Sequence, residues 1–219
     1  MSGKVALGMS GANLSLFLLT ALIIAAVPGP GIFYVAARTL TGGKKAGIAS
    51  TFDLALGGLV HVIAGGLGVS AIILASAQLF TVFKLAGALY LVWLGIKTFR
   101  EAGHAPSEQI APTGAKRAFR EGVVVEALNP KTAAFFLALI PQFIEPAAGH
   151  VALQFMMLGM ISVMLNTFAD VIVVAVATTA RTGLLRRPNF FQRLRQGSGL
   201  FIAGLGIWLA LARRAAATS

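Results

Sequence analysis

Apolar residues dominate the chain in long runs separated by short polar gaps. From Val5 to Ala37 no side chain is charged, a run longer than the roughly 20 residues a helix needs to cross a bilayer. It is too long for a secretory leader, and Pro28-Gly29-Pro30 is followed by more apolar sequence, so a retained first span is expected over about 14–38. Between Ala46 and Ile96 the only acidic, basic or imidazole side chains are Asp53, His61 and Lys84. One helix of that length would measure roughly 78 Å against a hydrocarbon thickness of ~30 Å. The run must fold back, and the small, polar stretch 70–78 is the expected turn between a second span (about 46–70) and a third (about 77–97). A polar loop is expected over 98–120. Spans four (about 121–144) and five (about 151–180) follow, divided by Pro141, Glu145 and Pro146, and a basic linker then leads to a sixth (about 197–212). The reading is an all-α, polytopic membrane protein of six spans in one domain covering 1–219; five spans result if the first or last is not fully inserted.

Composition supports this. Hydrophobic residues make up 57% and charged residues 11%, where a soluble chain carries about a quarter charged residues. The formal charge of +11, from 18 Lys+Arg against 7 Asp+Glu, would raise the question of nucleic acid in a soluble protein. Here the basic residues sit in the gaps between apolar runs, which reads as loop anchoring and not as nucleic-acid binding. Thirteen of them fall in alternate connections: Arg38, Lys44 and Lys45; Lys97, Arg100, Lys116, Arg117 and Arg120; Arg181, Arg186, Arg187, Arg193 and Arg195. Only Lys4, Arg213 and Arg214 lie on the other side. The basic connections are therefore expected in the cytoplasm and both termini outside. With no cysteine in the chain, thiolate catalysis, disulfides and Cys-based metal sites are excluded.

Each half, about 10–97 and about 121–212, holds three spans, and the first span of each is interrupted by proline: Pro28-Gly29-Pro30 in one, Asn129-Pro130-Lys131 in the other. Proline removes a backbone donor and clashes with the preceding turn. Counting inward at 1.5 Å per residue from Arg38 and Arg120 puts both breaks ~12 to 15 Å deep, near the bilayer centre. Three is odd, so the second half is inserted upside down relative to the first. Broken helices in corresponding places of inverted halves point to a transporter with its site at the midplane; the alternative is a pair of ordinary proline kinks.

Charges at membrane depth are costly, so each is a functional candidate with an expected partner. Asp53, Gly57, His61, Gly65 and Gly68 share one sector of span two, a face suited to lining a cavity or letting another helix approach. Gly159, Ser162, Asn166 and Asp170 form a stripe on span five, and span four adds Glu126 and Asn129 with Lys131 just beyond. A helix broken at mid-membrane exposes N–H groups and a positive dipole end that attract a carboxylate. Pro28, Gly29, Pro30, Asn129, Pro130, Lys131, Asn166 and Asp170 are thus the candidate substrate-binding residues. The acids are suited to an ammonium group, and an amphoteric small molecule fits the set. Low dielectric disfavours an ionised carboxyl group, so Asp53, Glu126 and Asp170 are candidates for carrying a coupled proton, with His61 as a candidate relay. For His61 a single structural hydrogen bond is the competing reading; for Asp53 and Lys131 it is a structural ion pair.

Several pieces taken together resemble the LysE/RhtB superfamily of bacterial amino-acid exporters, which includes homoserine/threonine and lysine exporters. They are Pro28-Gly29-Pro30, the basic turn before Ala46-Gly47, Gly57 with His61, the stretch from Lys84 to Leu91 running on to Trp93-Leu94-Gly95, Asn129-Pro130-Lys131 with Phe135-Phe136 and Pro141-Gln142-Phe143, and Asp170. The resemblance covers nearly the whole chain. It implies six helices in the cytoplasmic membrane and amino-acid export in exchange for protons, often by a homodimer, with no cofactor or metal. Two departures stand out: Asp53 where such proteins more often have glycine, and Glu126 where asparagine is expected. Two extra acids would favour a cationic substrate such as lysine or arginine, or alter coupling. A membrane-embedded enzyme is the first alternative. Against it, the chain has no His-Glu-x-x-His, no Gly-x-Ser-x-Gly and no phosphate-binding glycine loop. A passive channel is the second, and no repeated filter residues are visible.

Overall fold

A computed structural model of the chain describes residues 10–71, 76–103, 115–179 and 188–211. Among them the fold is helical. In chain order the helices are α1 (Gly11–Ala26), α2 (Pro30–Ala64), α3 (Ala77–Arg100), α4 (Ala115–Ala127), α5 (Pro130–Ala134), α6 (Val151–Thr179) and α7 (Pro188–Leu211). A π-helical turn, Gly65–Val69, prolongs α2, and a second, Phe135–Leu139, followed by a 3₁₀ turn, Ile140–Phe143, prolongs α5. Three stretches are long and apolar enough, by length and composition, to cross a membrane: Pro30–Val69, which is interrupted at Gly43, Ala115–Phe143, which is broken before Pro130, and Val151–Thr179. The 16-residue α1 is a shorter apolar helix.

The breaks fall at the prolines. Ser10 caps α1 by accepting the Asn13 N–H at 3.2 Å, and α1 ends where Val27 turns extended ahead of Pro28. α2 restarts at Pro30, whose fixed φ and missing N–H suit a first helical position. The second break repeats this: α4 stops at Ala127, Asn129 is extended, and α5 opens with Pro130. A residue before proline is pushed out of the helical region, so each break is written into the sequence.

Three boundaries differ from the sequence-based expectation. No polar loop separates spans one and two; α2 runs through the basic stretch and is interrupted only at Gly43 (φ 78°, ψ −177°). Thr39 and Gly47 touch across that point, though eight residues of straight helix would hold them roughly 12 Å apart. The chain thus turns back on itself, and α2 is two limbs, 30–42 and 44–64. The loop expected over 98–120 is helical at both ends, with α3 reaching Arg100 and α4 starting at Ala115; residues 104–114 lie outside those described. Arg193 and Arg195, expected in the linker, belong to the first turns of α7, while Arg181, Arg186 and Arg187 lie outside the described residues. The turn expected over 70–78 falls partly on residues not described; Ser76 caps α3 by accepting the Leu79 N–H.

Packing joins the two limbs of α2 to α4 and α6, while α3 and α7 lie mainly against each other. Small residues set both contacts. A Cβ on Gly57 would lie 2.5 Å from the Val123 carbonyl oxygen of α4, and one on Gly199 would lie 2.6 Å from the Gly95 carbonyl oxygen of α3. Without side chains there, the backbones approach closely, as small-residue interfaces allow between helices in lipid. The main core gathers Phe17, Phe135, Phe136, Phe143 and Phe155 with Ile24, Leu139 and Leu158.

Candidate functional site

The two breaks lie side by side and hold each other. Lys131, on the first turn of α5, sends its side chain to the end of α1. Its Nζ donates to the carbonyls of Val27 (2.9 Å) and Ile24 (3.3 Å). The last carbonyls of a helix have no partner within it, and a cation is favoured there. The lysine stem runs along Gly29, where a Cβ would stand 3.2 Å from both Cδ and Cε. At the other break the carbonyl of Glu126, near the end of α4, lies 3.0 Å from His61 Nε2. A carbonyl only accepts, so that nitrogen carries the proton. Each half-helix that ends at mid-chain is therefore capped by a side chain from the opposite half of the sequence.

Between the breaks sits a buried polar cluster. Glu126 Oε2 accepts from Asn129 Nδ2 at 2.8 Å and Oε1 accepts from the Thr132 hydroxyl at 2.6 Å. Asn129 Oδ1 takes the Lys131 N–H at 3.1 Å and so caps α5. Gly29, opening α2, offers no side chain for the same purpose. Glu126 comes close instead: a Cβ on Gly31 would lie 2.9 Å from its Oε2. Neither helix start is bare. Asn129 caps one, and a resident carboxylate stands beside the other.

The cluster forms one wall of a pocket holding about 420 Å³ of atom-free space, its open mouth included. Gly31 and Ile32 line it from the start of α2, Leu54, Ala55 and Gly58 from the second limb, and Glu126, Asn129, Lys131, Thr132 and Phe136 from around the second break. Val163, Asn166, Thr167 and Asp170 complete it from α6. Asn166 donates to the Ser162 carbonyl at 2.9 Å, which leaves its own carbonyl oxygen for the pocket. Asp170 is 5% exposed. Among the described residues, no hydrogen bond or ion pair engages its carboxyl group. The carboxyl group borders the cavity, with Lys131 on the same wall, and an ionised carboxyl group in such a setting is costly unless it is paired.

Five of the predicted residues thus meet in the pocket wall: Glu126, Asn129, Lys131, Asn166 and Asp170. From the first break the wall takes Gly31 and Ile32, just beyond Pro28, Gly29 and Pro30; Pro130 likewise opens α5 without lining the pocket. Asp53 and His61 are elsewhere. The stripe Asp53–Gly57–His61 faces α4, one residue round the helix from Leu54, Ala55 and Gly58, which do line the pocket. A Cβ on Gly122 would lie 2.6 Å from Asp53 Cβ and 3.3 Å from a ring carbon of Tyr34, and Tyr34 donates its hydroxyl to the Ala118 carbonyl at 3.0 Å. Asp53 does not pair with Lys131, whose ammonium is engaged at α1. Sequence reading missed Thr132, Thr167 and Phe136. Thr132 follows Glu126 by six residues across the break, a spacing that no helical period picks out. Among the described residues, no group of three or more His, Asp or Glu side chains comes together as metal ligands.

Comparison with known proteins adds an independent line. The chain is 33% identical over 199 residues to an uncharacterized membrane protein of Vibrio cholerae, covering 90% of this chain and 96% of that one. It is 31% identical over 202 residues to the homoserine/homoserine lactone efflux protein of Salmonella typhimurium, covering 91% and 96%. The similarity to a leucine efflux protein of the same organism is 29% over 147 residues, or 65% of this chain and 68% of the relative. No solved structure matches. The sequence model of the LysE type translocator family matches residues 22–213. The chain belongs to the LysE type translocator family.

Proposed function

We propose that this protein exports amino acids or related small zwitterions across the bacterial cytoplasmic membrane in exchange for protons. In this reading six spans form two inverted three-helix repeats, with the basic connections in the cytoplasm and both termini outside. The relatives named as homoserine and leucine efflux proteins support the substrate class, and the two proline breaks support the inverted arrangement. One observation carries the mechanism: among the described residues no hydrogen bond or ion pair engages the Asp170 carboxyl group, which borders the pocket on the same wall as Lys131.

Such a group needs a positive partner, and a proton and a substrate ammonium serve equally. Because one carboxyl group cannot hold both, their binding is mutually exclusive, and with the empty, ionised form unable to reorient, that exclusion links their fluxes in opposite directions. The substrate binds to ionised Asp170 from the cytoplasm and is displaced outside by a proton. The protein then returns with Asp170 neutral. The substrate's other end, its carboxylate, is drawn to Lys131. Taking that ammonium from the carbonyls of Ile24 and Val27 loosens the end of α1, so substrate binding and movement of the broken helix are one event. Two acids, Glu126 and Asp170, face one base in the pocket, which favours a ligand whose positive end is the more strongly held. Asp53 and His61 lie outside the pocket, and the mechanism routes no proton through them.

The test is export from proteoliposomes loaded with a mixture that includes leucine, homoserine, lysine and arginine, read by mass spectrometry. One or a few amino acids should leave in response to an imposed proton gradient. Asp170→Asn, which keeps the shape of the side chain, should reduce that flux at least tenfold. Retention of every amino acid by the unmutated protein would contradict the proposal, and so would undiminished gradient-driven export by Asp170→Asn.

A further inference from the structure

The pocket is closed very differently at its two ends. Toward the basic turns a small apolar cluster of Tyr34, Val35, Leu54 and Val174 is interleaved with the buried polar side chains of Thr39, Ser50 and Asp53. In the opposite direction the interior is filled by phenylalanine. Phe136 is itself a pocket wall. Its ring centroid lies 6.1 Å from that of Phe155 and 6.0 Å from that of Phe135; Phe17 lies 6.4 Å from Phe135 and 5.3 Å from Phe143. None of the five is more than 3% exposed.

The rings sit in places kept open by glycine. A Cβ on Gly65 would collide with the Phe155 ring, and one on Gly159 would lie 2.9 Å from Phe136 Cε1. Both π-helical turns are at this same level, Gly65–Val69 behind Phe155 and Phe135–Leu139 carrying the rings of Phe135 and Phe136. A π turn departs from the regular hydrogen-bond ladder and recurs at functional points of helices. Beyond the rings the chain is tied down. Asn13 Nδ2 donates to the Phe143 carbonyl at 3.1 Å. Gln154 accepts the Glu145 N–H and donates to the carbonyls of Glu145 and Gly149.

We infer that Phe136 and Phe155 form the barrier that a solute in the polar pocket must cross to leave at the end away from the basic turns, and that the barrier yields at the two π turns. A packed apolar layer excludes water, and an ammonium or carboxylate entering it loses its hydration without compensation. The barrier holds polar solutes while the rings are stacked. A change at either π turn re-aims a ring without unwinding a whole helix, and the glycine seats leave the backbone free of side chains where the rings slide. The inference deepens the export reading and rests on it for the identity of the solute, so its test does not use transport.

The chain contains no cysteine, so a single cysteine replacing Ala55 on the pocket wall is the sole thiol. In sealed membrane vesicles, a membrane-impermeant thiol reagent is applied to one face at a time. Lys45→Cys in a parallel preparation identifies the face of the basic turns. From the opposite face, Ala55→Cys should label slowly, and adding Phe155→Ala should raise the rate at least tenfold while labelling from the basic face stays the same. If Phe155→Ala fails to fold, Phe155→Leu, which keeps apolar bulk but loses the reach of the ring, should raise it at least threefold. Fast labelling from the opposite face before any ring is removed would overturn the inference, as would an unchanged rate after Phe155 is truncated. Absence of amino-acid export alongside the expected labelling would strike the transport reading alone.

Discussion

Glu126 is the side chain on which the two breaks converge, held by Asn129 and Thr132 and set against the start of α2. Glu126→Leu strands both donors in a buried setting, an effect of about 1–3 kcal/mol for each, and should lower the unfolding temperature in detergent by several degrees. Glu126→Gln retains an acceptor for Asn129 and a donor for Thr132 and should lose much less. Equal losses in the two variants would show that these hydrogen bonds do not hold the cluster. Asp170, Asn129 and Lys131 were legible from the sequence because polar groups at membrane depth are rare and announce themselves. What each one touches was not. Lys131 was read as a charge for the substrate, yet it reaches 107 residues back to the Ile24 carbonyl, a distance in sequence that no local pattern encodes. Asp53 was read as a candidate proton carrier because it is an acid at membrane depth, on a face shared with Gly57 and His61. Periodicity identifies the residues on a face but not what that face meets, and here it meets the backbone of α4.

At the scale of elements, the proline breaks were readable because their cause is local: a missing donor and a clash with the preceding turn. The reversal at Gly43 was expected as a basic connection, from Arg38, Lys44 and Lys45 in the gap between two apolar runs. The structure resolves it into one residue with a backbone conformation essentially confined to glycine. Gly43→Ala should therefore destabilise by about 1–3 kcal/mol although no atom lies within 4 Å of the added methyl group. Gly68→Ala, equally unobstructed but with no positive φ, should be neutral or stabilising by up to ~1 kcal/mol. A third contrast is Gly57→Ala, where the methyl group would meet the Val123 carbonyl oxygen at 2.5 Å and overpacking costs about 1–3 kcal/mol. Thermal unfolding of the three variants in detergent separates the unobstructed position from the strained and the crowded one, and a common outcome for all three would contradict these assignments.

Over the whole molecule, the interior falls into three layers along the helices. A mixed layer, the apolar cluster of Tyr34, Val35 and Val174 with the buried polar side chains of Thr39, Ser50 and Asp53, lies toward the basic turns, the pocket with Glu126, Lys131 and Asp170 lies in the middle, and the phenylalanine rings lie beyond it. The all-helical class and the position of the middle layer were legible from apolar run lengths and from the depth of the breaks. The ring layer was not, because phenylalanine in an apolar helix carries no positional signal until its neighbours are known. The proposed mechanism rests on Asp170 because, among the described residues, it is the carboxyl group of the middle layer that no hydrogen bond or ion pair engages. The most direct measurement is proton release when substrate binds to the purified protein in weakly buffered detergent solution, followed with a pH indicator. For whichever amino acid the export panel selects, the account predicts about one proton displaced per substrate bound wherever Asp170 is protonated beforehand, and none from Asp170→Asn. Substrate binding that releases no proton at any pH, or the same release from Asp170→Asn, would contradict it.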